Sequence, residues 1–184
     1  AVKPARAEGQ VFTCPHCAEF KAQGVPVLLR NYVSTGNVSY EFRSFLLNGI
    51  DIGPSLLAMC QPPESAWKFT SALFATQQQW VQGYQNIPES EGQRLTQLPP
   101  DQAIVAIADA GGLDDFARMR GVPKAKFTQC LSNSAGFDKL QANAKEAVEK
   151  YGLTGTPTFV INGETVKNAY SWAALEPALK DALN

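Results

Sequence analysis

The 184-residue sequence has no surplus of either charge, no long apolar run, no internal repeat, no low-complexity tract and a single histidine. Each absence removes a class of protein. A formal net charge of -1 offers no basic face to a phosphate backbone, so nucleic-acid binding is not expected, and no acidic run points to disorder. The apolar stretches, such as residues 25–29 and 45–47, fall far short of the roughly 20 residues that span a bilayer. The opening AVKPARAEGQ lacks the apolar core of a signal peptide, which leaves a cytosolic chain or a secreted one in its mature form. Without repeats or linkers, the length reads as one fairly large domain, or a domain carrying an insertion.

The scarcity of histidine also bears on metal. A structural zinc site normally takes four Cys or His ligands in paired spacings, whereas here one CxxC is followed by two isolated cysteines 70 residues apart. No metal is expected.

What is present is FTCPHCAEFK, residues 12–21, with the lone His16 between Cys14 and Cys17. Four cysteines, at 14, 17, 60 and 130, allow three pairings. The close spacing makes Cys14 and Cys17 natural partners and leaves Cys60 for Cys130, a bond that would place the chain in an oxidising compartment. The alternative is that the latter two are simply buried apolar residues.

A cysteine at a helix start faces unpaired backbone N–H groups and the positive end of the helix dipole, and both favour its thiolate. Cys14 takes that place. Pro15 suits the first helical position because it has no N–H to lose, and His16 can add a donor or a positive charge. Cys17, about one turn inward, is expected to be the less exposed, resolving cysteine. Stabilising the thiolate stabilises the reduced protein, so the disulfide tends to be passed on to other thiols.

Along the rest of the chain, Gly24 and Pro26 interrupt the helix that starts at the motif, which predicts a kink. Residues 37–47, NVSYEFRSFLL, alternate Val38, Tyr40 and Phe42 and predict a strand. It would lie parallel to an earlier strand, with the motif helix as crossover. Only GQVFT, residues 9–13, reads as that earlier strand, and residues 1–9 are not strand-like. From Gly53 to Tyr151 the period is helical. Residues 63–83 predict one helix, 83–98 a polar loop, 99–112 and 123–133 two shorter helices. Phe137, Leu140, Ala144, Ala147 and Tyr151 form a stripe stopped by Gly152. In residues 155–170, GTPTFVINGETVKNAY, Asn162-Gly163 marks a hairpin, and Ser171 caps a closing helix whose boundary Pro177 blurs. Trp67, Trp80 and Trp172 are expected in the core. The layout is α/β with a large helical insertion.

CPHC opening a helix, a distant GTPTFVING and helices between them resemble the DsbA group of thioredoxin-fold thiol:disulfide oxidoreductases over most of residues 11–184. The resemblance implies a thioredoxin-like fold split into residues 1–52 and 152–184 around a helical insertion at 53–151. It implies that Pro157 is cis and, with Thr156, lies against the disulfide where substrate peptide pairs. Cys60 and Cys130 are similar to the second disulfide of many members. Glu8, six residues before Cys14, matches an acidic residue common near the motif. The resemblance further implies a monomeric periplasmic enzyme without cofactor, oxidising reduced, unfolded secreted proteins and restored by an inner-membrane DsbB-like reoxidase. Two alternatives stand beside it. Thr156 also occurs before the proline in disulfide isomerases of related fold, which keeps a reductase or isomerase open. The other is a secreted binding module with both cysteine pairs as staples.

Overall fold

The computed structural model describes the backbone from Ala5 to Asn184 and side chains from Gln10 onward. The chain divides into two compact units, one comprising residues up to Leu46 together with Gln141–Asn184, the other Leu47–Leu140. The sequence reading put the divisions at 52 and 151. The second division falls within a continuous helix, whose unbroken apolar stripe gives no sign of it.

The first unit is a four-stranded sheet in the order β2-β1-β3-β4. Strand β1 (Ala5–Gln10) runs parallel to β2 (Tyr40–Ser44) and antiparallel to β3 (Phe159–Ile161), which forms a hairpin with β4 (Glu164–Val166). The position of β1 corrects the expectation that residues 1–9 are not strand-like and that the strand lies at 9–13. A strand paired on both edges is held by two ladders of backbone hydrogen bonds, which its alanines and charged residues neither help nor announce. Val11, Phe12 and Thr13 instead form the turn that leads into the motif.

Helix α1 (Pro15–Leu28) and a π-helical turn (Leu29–Val33) supply the crossover that parallel β1 and β2 require. The helix runs through Pro26 and widens only afterwards. Gly24 is needed there, because a Cβ would lie 2.6 Å from a ring carbon of Phe20. That ring packs with Leu28, Tyr32, Phe159, Ile161, Leu175 and Leu179 into one core joining α1, the sheet and the closing helix. The hairpin turns on Asn162 (φ 53°) and Gly163 (φ 91°), both in the left-handed region that a two-residue turn demands. Ser171 caps the closing helix by accepting from the Ala174 N–H at 3.3 Å.

The second unit is helical: α2 (Ile52–Met59), α3 (Pro63–Ala75), α4 (Gln77–Gln85), α5 (Glu89–Thr96), α6 (Pro100–Ala110), α7 (Leu113–Arg118), α8 (Lys124–Leu131) and the start of α9 (Ser134–Tyr151); α10 (Trp172–Leu183) closes the chain. The single helix expected over 63–83 is two. At Thr76 the backbone leaves helical values (φ -113°, ψ 22°), the Thr76 hydroxyl turns back to the Ala72 carbonyl at 2.9 Å, and the Trp80 indole donates to the Leu73 carbonyl at 2.8 Å. A side chain thus takes over a carbonyl that the ended helix can no longer use. The polar loop expected over 83–98 contains α5. Its start follows Pro88, acidic Glu89 and Glu91 favour the first turn, and Glu91 pairs with Arg94, but only Leu95 is buried, so no apolar period reveals it. Trp80 is buried, while Trp67 is 37% exposed on α3, against the expectation that it lies in the core. Cys60, at the end of α2, is bonded to Cys130 of α8.

Candidate active site

Cys14 is the N-cap of α1, with extended backbone (φ -79°, ψ 120°), and Pro15 occupies the first helical position. Its placement starts in the turn after β1, where Val11 and Phe12 are fully buried and Phe12 packs against Phe42 with ring centroids 5.7 Å apart. The Cys14 N–H donates to the Val11 carbonyl at 3.2 Å, closing the turn. Phe20, its ring tilted against that of Phe159 with centroids 4.5 Å apart, then fixes the helix over β3. Since the chain enters β3 through Thr156 and Pro157, this packing brings that segment to the motif.

The Thr156–Pro157 peptide bond is cis, and the Cys14 thiol donates to the Thr156 carbonyl at 3.5 Å. The Cys17 N–H donates to the Cys14 sulfur at 3.4 Å, and the Val11 N–H donates to the Cys17 sulfur at 3.4 Å. Cys14 is 6% exposed and Cys17 wholly buried, and both are free thiols.

The two thiols titrate in opposite directions. Hydrogen bonding from the Cys17 thiol, against the cost of burial and aided by the Thr156 side chain and the N–H groups of Cys17 and His16, pulls Cys14 down to about 5. Burial first, and then donation to Cys14, pushes the Cys17 thiol far up. One sulfur is therefore an anion at neutral pH and its neighbour holds its proton.

Cys14, Cys17, Pro15, Thr156 and Pro157 meet in one place. The His16 side chain is 71% exposed and its Nδ1 lies 3.8 Å from the Glu19 carboxylate, so the contact from His16 to the Cys14 sulfur is its backbone N–H. The side chain of Glu8 lies outside the described residues.

Two polar features near the motif were not singled out in the sequence. Lys21 is only 8% exposed, and burial draws its ammonium down to about 7. Its signal was available, since Cys17, Phe20, Lys21 and Gly24 fall on one helical stripe. Gln10, fully buried, donates to the Tyr40 hydroxyl at 3.0 Å, and burial pushes the Tyr40 phenol up. That pair joins two strands and leaves no trace in any local window.

Among the described residues no three His, Cys, Asp or Glu side chains gather to hold a metal ion, and no helix is long and apolar enough to cross a membrane.

A helix-capping CxxC beside a cis-proline loop on a mixed four-stranded sheet defines the thioredoxin-like class, and residues 10–181 match the family model described as thioredoxin. The chain belongs to the thioredoxin family, with the DsbA type of fold. It is similar to a protein-disulfide isomerase of Novosphingobium aromaticivorans, with 31% identity, a TM-score of 0.91, and 98% of this chain and 92% of that one covered. The alpha-DsbA1 of Wolbachia pipientis shares the fold at 22% identity and a TM-score of 0.73, over 98% of this chain and 86% of that one. A Rickettsia felis protein named as a protein-disulfide oxidoreductase is 27% identical over 172 residues, 93% of this chain and 53% of its own length. The chain thus spans about half the length of the curated relatives it matches.

Proposed function

We propose that the chain is a thiol:disulfide oxidoreductase that donates a Cys14–Cys17 disulfide to reduced cysteines of unfolded secreted proteins or peptides. The observation that carries this reading is the Cys14 sulfur at the helix N-cap, held as a thiolate down to about pH 5. In the oxidised enzyme a substrate thiolate attacks the Cys14 sulfur, and the bond to Cys17 breaks. Cys17 leaves with the electron pair and takes a proton, as its buried position favours. A second substrate thiolate then attacks its partner sulfur in the mixed disulfide and releases Cys14 as a stable thiolate. Two electrons have passed from substrate to enzyme, and the substrate holds the new disulfide. The cis Thr156–Pro157 segment, whose carbonyl faces Cys14, is where an extended substrate would lie. His16, exposed at the rim, would meet the incoming thiolate and add to the oxidising power.

The chemistry needs no cofactor. It suits a periplasmic setting and a DsbB-like reoxidase of the inner membrane, with the chain acting as a monomer. Residues 47–140 serve in this reading as the helical insertion. The test is oxidative refolding of a reduced, denatured disulfide protein by stoichiometric oxidised chain. Rapid transfer of one disulfide per chain supports donation, and no transfer above the buffer rate rejects it.

The second reading, an isomerase, is favoured by Thr156 before the cis-proline and by the name of the Novosphingobium structure. It predicts that the reduced chain restores activity to a scrambled disulfide protein, a reaction that a pure donor performs poorly.

A further inference from the structure

The helical unit contains a recess of about 330 Å³, with no cysteine in its lining, between the turn at Gly49–Asp51, the start of α2, the last turn of α4 and one face of α6. Its walls are almost wholly carbon, with Ile50, Ile104 and Ile107 among the lining residues, and the Tyr84 side chain also lines it.

Tyr84 is 7% exposed, and its hydroxyl oxygen lies beside Gly53, which lines the same recess. The hydroxyl is also held in place. A Cβ at Gly111 would come within 2.9 Å of the Tyr84 ring, and Trp80 meets the ring edge-on at 6.1 Å, so the ring is gripped from two sides. A Cβ at Gly53 would sit 3.1 Å from the Tyr84 oxygen, so the glycine is what leaves that oxygen uncovered toward the cavity.

The recess is partly open to solvent, and since its lining is almost wholly apolar, an apolar group gains by displacing the loosely held water there. The volume suits a ring compound, since a cavity of roughly 150 Å³ lined by aliphatic and aromatic side chains already holds benzene. Charge selects further. The wholly buried Asp51 carboxylate, which accepts the N–H groups of Leu47 and Asn48, stands in the adjoining turn and repels an anion. Burial and the Asp51 charge both push the Tyr84 phenol up, so it stays protonated and able to donate.

We propose that this cavity binds a small, neutral ring compound bearing one carbonyl or hydroxyl oxygen, with the ring among Ile50, Ile104 and Ile107 and the oxygen on the Tyr84 hydroxyl. The site is independent of the redox reading, and its test does not use thiol chemistry.

The probe is acetophenone, titrated into the full ¹⁵N-labelled chain, with benzoate as an anion of similar size. The expected result is saturable shifts of the Gly53, Tyr84 and Ile107 amides with acetophenone and none with benzoate. Tyr84→Phe should weaken binding about five- to tenfold, the usual effect of one lost hydrogen bond. Ile104→Trp, on the half-buried face of α6, should abolish it by filling the space while the rest of the spectrum stays folded. Shifts that never saturate, shifts centred elsewhere, equal binding of benzoate, or undiminished affinity in folded Ile104→Trp would overturn the proposal. Undiminished affinity in Tyr84→Phe would overturn the role of the hydroxyl.

Discussion

The two cysteine pairs sit at opposite ends of helices. Cys14 caps the N-terminus of α1, where its sulfur meets backbone N–H groups and the positive end of the dipole. Cys60 is the C-cap of α2 and Cys130 lies in the last turn of α8, where carbonyls and the negative end of the dipole surround them. A thiolate is welcomed at the first place and discouraged at the second. On the function proposed above, the same residue type would yield a disulfide inclined to be given away in one unit and one inclined to persist in the other. Depth of burial does not separate the two places, since Cys130 and Cys14 are both largely shielded.

The sharpest way to break this contrast is to delete each pair. Cys14→Ser should abolish disulfide transfer in the refolding assay and leave the fold intact. Replacing both Cys60 and Cys130 by Ala should leave transfer measurable while lowering stability by about 4 kcal/mol, the chain-entropy expectation for the 70-residue separation they span, as read by urea unfolding. Retained transfer in the first variant, or unchanged stability in the second, would reverse the roles assigned.

A somewhat smaller effect is expected from pH. The folded pKa of Cys14, about 5, lies below its ordinary value of 9.0, so the reduced protein gains stability that is complete above the ordinary value and is lost as pH falls through about 5. The oxidised protein lacks this contribution. The difference in unfolding free energy, reduced minus oxidised, should thus rise from pH 4 to pH 9, and thiolate absorbance should show a midpoint near 5. A flat difference across that range would remove the thiolate from the account.

Within the site, Cys17→Ala should raise the Cys14 titration midpoint, because the largest stabilising contact comes from Cys17. Thr156→Val should raise it less, and absorbance titration of the two variants orders them. The smallest effect is expected of His16→Leu, which leaves the backbone N–H in place and should make the disulfide only slightly less oxidising. An unchanged potential would exclude the imidazole from the tuning.

Much of the architecture was readable because it is local. The period-two run ending in β2, the Asn162-Gly163 turn, the Ser171 cap and the stripe of α9 each depend on neighbouring residues. The features that escaped are those fixed by distant partners. β1 is a strand because it has ladders on both sides, α5 is a helix anchored by one leucine, and α3 ends where an indole seven residues on takes its carbonyl. The site divides in the same way. CPHC is a local motif that gains its meaning beside the distant GTPTFVING, whereas the approach of the Thr156 carbonyl to Cys14 spans 142 residues, and the burial of Lys21 and Gln10 depends on the packed core.

The central claim is that the environment of Cys14 makes its disulfide a donor. It is tested most directly by equilibrating the Cys14/Cys17 pair with glutathione in the chain with Cys60 and Cys130 replaced by Ala. The account predicts a potential near or above roughly -150 mV, well on the oxidising side of glutathione pools. A value near roughly -250 mV or below would mark a reductant or a structural bridge and contradict it.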